Sequence, residues 1–167
     1  MTVFKITDDL LIKVKEDLVR QHPFAFERVG FILCRPARIN RDGWILFAWD
    51  YRPVDDSDYL EDESVGAMMG PGAMRKALQL AYNESFSLVH VHLHNHYGVP
   101  QFSRTDNAES ERFVPDFWNV RPNLPHGAVV ISRDAACGFI WDPKNRKRVR
   151  LNKISIIGAP LRIIENL

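Results

Sequence analysis

The sequence predicts a single α/β domain, a mixed β-sheet flanked by helices, spanning residues 1–167. Three observations carry that expectation. Apolar residues recur at helical spacing near residues 8–19 and 70–80 and again after 106. Short apolar runs rich in β-branched and aromatic residues lie between these segments and read as strands. The 167 residues contain no repeat, long linker or low-complexity tract, and a chain of this length buries a core as one domain without staples.

Each element has a local reason. Thr7 or Asp8 caps a helix whose apolar positions are Leu10, Leu11, Val14, Leu18 and Val19. His22-Pro23 ends it, because the residue before proline disfavours helix. Val29 to Cys34 reads as a buried strand, and a turn at Asn40 to Gly43 leads into a second strand, Trp44 to Trp49. Asp55 to Glu63 holds six acids in nine residues and is expected to be a solvated loop. Gly70-Pro71-Gly72 opens a helix with Met74, Ala77, Leu78 and Leu80 as core positions. A strand from Phe86 to about His94 follows, then a loop from Asn95 to Thr105. Asp106 caps a helix through Phe113, with Glu109 and Glu111 near its positive end. Gly127 to Ser132 and Cys137 to Trp141 form a second hairpin. Residues 143–167 add a basic segment, Lys144 to Arg150, and a strand extension from Lys153 to Ile157.

Composition excludes several function classes. Twenty-two Lys and Arg against 21 Asp and Glu leave a net charge of +1. A general nucleic-acid binder needs a basic excess to neutralise phosphates, so no nucleic-acid partner is expected. The longest apolar runs fall far short of the roughly 20 residues of a membrane span. The start, Met1 to Asp9, lacks the basic residues and apolar stretch of a signal peptide. Cys34 and Cys137 could in arithmetic form one disulfide, but buried reduced thiols in a cytoplasmic protein are the expectation.

The anomaly is histidine. Four of the six, His90, His92, His94 and His96, fall in one seven-residue stretch. Alternate side chains of a strand share a face, so the row projects in one direction. Two imidazoles there with a carboxylate and a water make the ligand set of a catalytic zinc site. Asp106, opening the next helix, is placed to return to the strand end. A lone strand histidine is ordinarily a surface or hydrogen-bonded group, and the row by itself does not say which members bind. Glu27, just before the apolar strand, is on local grounds a charged strand-edge residue. Its functional reading is a general base beside a metal-bound water. Ser103 is on local grounds a loop residue, and its functional reading is donation to a developing oxyanion.

Together, Glu27-Arg-Val-Gly-Phe-Ile-Leu, His92-Leu-His94 and Ser103-Arg-Thr-Asp106 resemble the motif of the JAMM (MPN, or JAB) zinc metalloproteases. The order of helices and strands from about residue 8 to 142 is similar to that family as well. The resemblance implies an MPN/JAB-like, cytidine-deaminase-like sheet. It implies a Zn2+ isopeptidase that cleaves after the C-terminus of a ubiquitin-like protein. Glu27 would be the base, Ser103 the oxyanion stabiliser, and His92, His94 and Asp106 the metal ligands. The familiar proline after the second histidine is Asn95 here. Eight residues separate His94 from Ser103, against six from His96 and ten from His92; the family's usual seven lies between the first two, and the six residues of strand from Phe86 that lead into His92 favour the middle pair.

The run Lys153 to Ile164 resembles the tail of bacterial JAB domains that accompany E1-like adenylating enzymes. That likeness implies a stand-alone deconjugase working with E1-like and E2-like proteins of a bacterial ubiquitin-like pathway, with antiphage defence as a setting. The competing readings are a non-catalytic MPN-like binding scaffold and an enzyme trimming a sulfur-carrier-like protein.

Overall fold

A computed structural model describes residues 1–22, 25–40, 43–62 and 66–165. In chain order the elements are β1 (Val3–Thr7), α1 (Asp8–Leu18), β2 (Val29–Asn40), β3 (Gly43–Pro53), a 3-10 turn (Asp56–Asp58), β4 (Tyr59–Leu60), β5 (Met68–Met69) and α2 (Pro71–Glu84). There follow β6 (Ser87–Leu93), α3 (Arg104–Phe113), a second 3-10 turn (Val114–Asn119), β7 (His126–Ile131), β8 (Ala136–Asp142), β9 (Lys147–Arg150), β10 (Lys153–Ile157) and β11 (Arg162–Glu165).

Among the described residues, one mixed sheet runs β11-β10-β1-β3-β2-β6-β7-β8-β9, and β4-β5 form a separate ribbon. β1 pairs in parallel with both β3 and β10, and β6 pairs in parallel with β7. The other sheet pairings are antiparallel. The expected α/β class holds, with three helices flanking the sheet.

The helices start where local chemistry dictates. Thr7 Oγ1 accepts from Leu10 N at 3.3 Å, and Asp8 and Asp9 occupy the first turn of α1. Leu11, Val14 and Leu18 bury the inner stripe. The helix stops at Leu18, four residues before His22, which leaves Val19 exposed as the C-cap rather than a core residue. Pro71 takes the first turn of α2, where its missing N–H costs nothing. That helix buries the small residues Ala73, Ala77 and Ala81, while Met74 and Leu78 lie half-buried at its margin. Small buried residues let α2 approach the sheet closely, and the larger ones then border open space.

The first hairpin is longer than expected, because β2 and β3 stay paired from Gly30↔Pro53 out to Asn40↔Gly43. Turn positions 41–42 lie outside the described residues, as do Pro23 and Glu63. The acidic stretch is largely exposed, as expected, but it is tied down by ion pairs. Asp56 pairs with Arg28, Asp55 and Asp58 pair with Lys76, and Tyr59 is buried. Cys34 and Cys137 are both free and buried. The terminal segment closes the sheet twice, with β9 at one edge and β10–β11 at the other.

The strand that carries the histidines divides two cores. Val89, Val91 and Leu93 of β6 face α1, packing with Leu11, Val14 and Leu18. Leu88 faces α2, α3 and the second 3-10 turn, packing with Ala77, Phe113 and Phe117. His90 and His92 stand on that second side.

Candidate metal centre

All seven residues of β6 are buried. The strand ends at Leu93, but His94 N still donates to Ile131 O at 2.9 Å, so the alternation carries on for one residue. His94 therefore lies beside His92, with ring centroids 4.9 Å apart. His96 does not share the strand. It sits exposed on the following loop, its Nδ1 2.8 Å from the Tyr97 carbonyl. That loop is tied down by Gly98, whose φ of 88° suits a residue without a side chain. Its N–H donates to Asp134 at 2.7 Å, and its carbonyl accepts from Ser132 Oγ at 2.7 Å.

The loop returns the chain to the histidines at the start of α3. Ser103, rather than Asp106, is the N-cap. Ser103 Oγ accepts from Asp106 N at 3.0 Å, and Asp106 Oδ2 accepts from Ser103 N at 2.7 Å. This reciprocal capping box explains the spacing of three on local grounds. It also aims one carboxylate oxygen at both imidazoles. Asp106 Oδ2 is 3.5 Å from His92 Nε2 and 3.6 Å from His94 Nε2, and the two nitrogens are 3.2 Å apart.

Glu27 enters from the other side. Because β2 and β6 are antiparallel with Val29 opposite His92, extending the register by two brings Glu27 level with His94. The approach to β2 is held firmly. The buried Arg28 guanidinium donates to the Arg20 carbonyl (3.0 Å), the Gln21 carbonyl (2.8 Å) and Asp56 (2.6 Å). Tyr59 Oη accepts from Val29 N at 2.8 Å. The Gly66 carbonyl accepts from both Phe26 N and Glu27 N, each at 2.9 Å. A Cβ at Gly66 would lie 2.8 Å from the Glu27 carboxylate, so only glycine leaves it that position. Glu27, His92 and His94 each present a donor atom within 4.8 Å of the others, a group able to hold a metal ion.

Electrostatics separate the two carboxylates. Burial raises the Glu27 pKa, with the charge of Asp106 adding to it and His92 opposing. Burial pushes Asp106 upward too, but the His92 ring and the Ser103 N–H outweigh it and hold Asp106 well below the usual carboxylate range. Burial lowers the His94 pKa, and His92 lowers it further. Burial and, after it, His92 also lower the His90 pKa, which is pushed down to about 3. Depressed imidazoles remain unprotonated near neutrality, the form a metal requires.

The separations among His92, His94 and Asp106 also fit an ion. Tetrahedral coordination with ligands at about 2.0–2.2 Å has ligand–ligand edges of about 3.3–3.6 Å. The His92, His94 and Asp106 atoms stand 3.2, 3.5 and 3.6 Å from one another. These atoms line one wall of a cleft of about 640 Å³, which Glu27 and Ser103 also line. Thus all five residues singled out in the sequence come together.

No family model matches this chain, and no curated protein matches it.

Two features of the site were not foreseen from sequence. Gly66 holds the Glu27 backbone, and its only sequence signal is an isolated glycine after an acidic stretch. Met68, Met69 and Met74 line the cleft beside α2. Unbranched thioether side chains adapt their shape to whatever they meet. No helix of the described residues is long and apolar enough to cross a membrane.

Proposed function

We propose that the chain is a zinc-dependent peptidase or isopeptidase that hydrolyses the bond following the C-terminus of a ubiquitin-like protein. One observation carries the reading: two imidazole nitrogens and a carboxylate oxygen, 3.2 to 3.6 Å apart, with a second carboxylate, Glu27, within 4.8 Å of the imidazoles.

His92, His94 and Asp106 would hold the ion, since their separations match a tetrahedral face and Asp106 stays ionised. When bound, zinc polarises a carbonyl and acidifies water. Glu27 is the base that takes a proton from the attacking water and delivers it to the departing amine. Its raised pKa suits both halves of that task, because a carboxylate that binds a proton more readily also carries it further. Ser103 stabilises the carbonyl oxygen. Its Oγ accepts from Asp106 N, and a hydroxyl that accepts one bond keeps its own hydrogen to donate. The residue is exposed on the cleft wall, so a substrate carbonyl can reach it. No side-chain nucleophile is needed and no covalent acyl-enzyme forms.

The MPN/JAB-like fold belongs to the same proposal. Its support is the order in which the sheet delivers the motif: Glu27 before β2, the histidine pair at the end of the neighbouring β6, and Ser103 and Asp106 at the start of α3. E1-like and E2-like proteins of a bacterial conjugation pathway, antiphage defence included, are the partners this activity calls for.

The test uses a ubiquitin-like protein with a short C-terminal extension and the same protein joined to a lysine. Zinc-loaded parent protein is expected to cleave at least one of them. Glu27→Gln should retain zinc and cleave at least about 100-fold more slowly. Equal cleavage by the two proteins removes the mechanism. Preference for the extended precursor over the conjugate points to trimming of a carrier protein. A protein that takes up no zinc is a binding scaffold.

A further inference from the structure

The basic segment Lys144 to Arg150 is not uniform along its length. Lys144, Arg146, Lys147 and Arg150 are exposed, whereas Arg148 is half-buried beside α3. Its guanidinium lies over the Phe139 ring, 3.6 Å from the centroid, with the Phe102 and Trp141 rings 5.7 and 5.5 Å away. One terminal nitrogen donates to Asn107 Oδ1 at 2.6 Å, and the other donates to Glu111 at 3.2 Å. Its Nε is buried and has no partner among the described residues. An arginine whose stem merely covers aromatic rings keeps its head group in water. This one turns its terminal donors onto α3 and leaves an N–H unmet, an arrangement that stability alone does not favour.

Asn107 passes that contact inward. Its Nδ2 donates to the Phe102 carbonyl at 3.2 Å and to the Ser103 carbonyl at 2.8 Å. The Arg148 bond fixes which way the carboxamide faces. Flipped, it would set an NH2 against a guanidinium and an oxygen against two carbonyls. The Phe102 carbonyl belongs to the same peptide unit as the Ser103 N–H, which donates to Asp106 Oδ2 at 2.7 Å. Three hydrogen bonds of 2.6, 3.2 and 2.7 Å therefore run in one sense from a cation to a carboxylate. Amides in such a run polarise one another and strengthen the bonds on either side. The capping box by itself closes a ring between Ser103 and Asp106 without fixing where that ring stands against the sheet. β9 belongs to the sheet that carries His92, and Arg148 ties the ring to it. The aromatic stack runs the same way, from Phe139 to Phe102 (5.3 Å) and from Phe102 to His92 (6.0 Å).

We propose that Arg148, acting through Asn107, is a positioning residue that holds Asp106 Oδ2 toward the histidine pair and Ser103 Oγ on the cleft wall. The inference rests on the hydrolase reading for the roles of Ser103 and Asp106, while the hydrogen-bond run stands on its own geometry. It gives the basic segment a task in the site: one of its five cations orients the metal ligand and the oxyanion donor from outside the cleft.

Asn107→Leu and Arg148→Met test it, the second keeping its stem over Phe139 while losing the donors. Either one carries the test should the other fold poorly. The zinc dissociation constant, measured by chelator competition, should rise about 10-fold in each. At saturating zinc, kcat on the ubiquitin-like protein with a C-terminal extension should fall about 10-fold, with KM within about 2-fold of the parent's. In the zinc-free protein, nuclear magnetic resonance should show the Ser103 amide exchanging with solvent at least about 10-fold faster, with the amides of β6 unchanged. Lys147→Gln, exposed on the same strand, should match the parent in all three. Zinc affinity and Ser103 exchange equal to the parent's in both variants overturn the proposal. So does exchange that quickens as much across β6 as at Ser103, since that is general loosening. Weaker zinc binding and faster Ser103 exchange in a protein that cleaves no substrate keep the positioning role and remove the hydrolase reading. Cleavage by the parent with neither readout moved in the variants keeps the hydrolase and removes the positioning role.

Discussion

The two faces of β6 are made by the same seven residues and do opposite work. One face, Val89, Val91 and Leu93, closes the core against α1. The other, Leu88, His90 and His92, begins against the α2 core and ends at the cleft. Period-two alternation lets one buried strand serve both, because neighbouring side chains never share surroundings. The apolar face has only the Ser87 hydroxyl, at the start of the strand, to satisfy beyond packing. Among the described residues, the histidine face leaves His90 Nδ1, His90 Nε2 and His92 Nδ1 unmet. Three buried ring nitrogens on one face, against a single hydroxyl on the other, make the histidine face the costlier one for stability and the one the proposed chemistry uses.

Substitutions on the histidine face should therefore cost function, and those on the apolar face stability. The largest effect is expected from His92→Ala or Asp106→Ala. Each removes one corner of the three-atom face, and zinc measured after dialysis should fall from one equivalent to below about a tenth. Retention of a full equivalent by both variants would erase the distinction between the faces. Leu93→Ala, on the other face, should lower the unfolding free energy by about 2–4 kcal/mol in urea titrations. Its zinc equivalence in the folded protein should stay the same.

A pH effect sharpens the contrast from the neighbouring strand. His126 of β7 is fully buried, its Nδ1 accepts from Leu88 N at 3.1 Å, and burial lowers its pKa to about 4. The unfolded chain takes up this proton near pH 6.5, before the folded one does. Stability from the neutral ring is thus intact above about pH 6.5 and lost as pH falls toward 4. The loss between pH 7 and 5 should be about 2 kcal/mol from this residue. Urea midpoints of the parent and His126→Leu compared at both values would reveal it, and equal slopes would refute it. Smaller again is Gly66→Ala, which crowds the Glu27 carboxylate without touching the histidines. Hydrolysis should slow by about 10-fold with zinc retained. The smallest effect belongs to His96→Ala. Exposed on its loop, His96 should contribute nothing measurable to zinc content, and a loss of zinc there would enlarge the site.

Much of this contrast is written locally in the chain. The alternation of histidines with Val, Val and Leu states both faces of β6 at once. Ser103 and Asp106 announce a helix start, and Pro71 announces another. What is not written locally is whatever depends on distant pairing. β1 is an ordinary stretch of five residues until β10, some 150 residues on, and β3 take its two sides. The exposure of Val19 follows from where α1 stops, which its apolar spacing does not reveal. The expected cap fell on Asp106 because aspartate is a strong cap. The serine three residues earlier takes the role and frees the carboxylate to face the histidines. His90 reads as one more member of a row, and only burial between two phenylalanine rings sets it apart.

The central claim is that His92, His94 and Asp106 close on a single zinc ion while Glu27 stands beside it. X-ray anomalous scattering from zinc-soaked crystals, recorded on both sides of the zinc absorption edge, tests it most directly. The account predicts one peak about 2.0–2.2 Å from His92 Nε2, His94 Nε2 and an Asp106 carboxylate oxygen, with Glu27 outside bonding distance. A peak bonded to Glu27 in place of Asp106, or no peak between the two imidazoles, would contradict it.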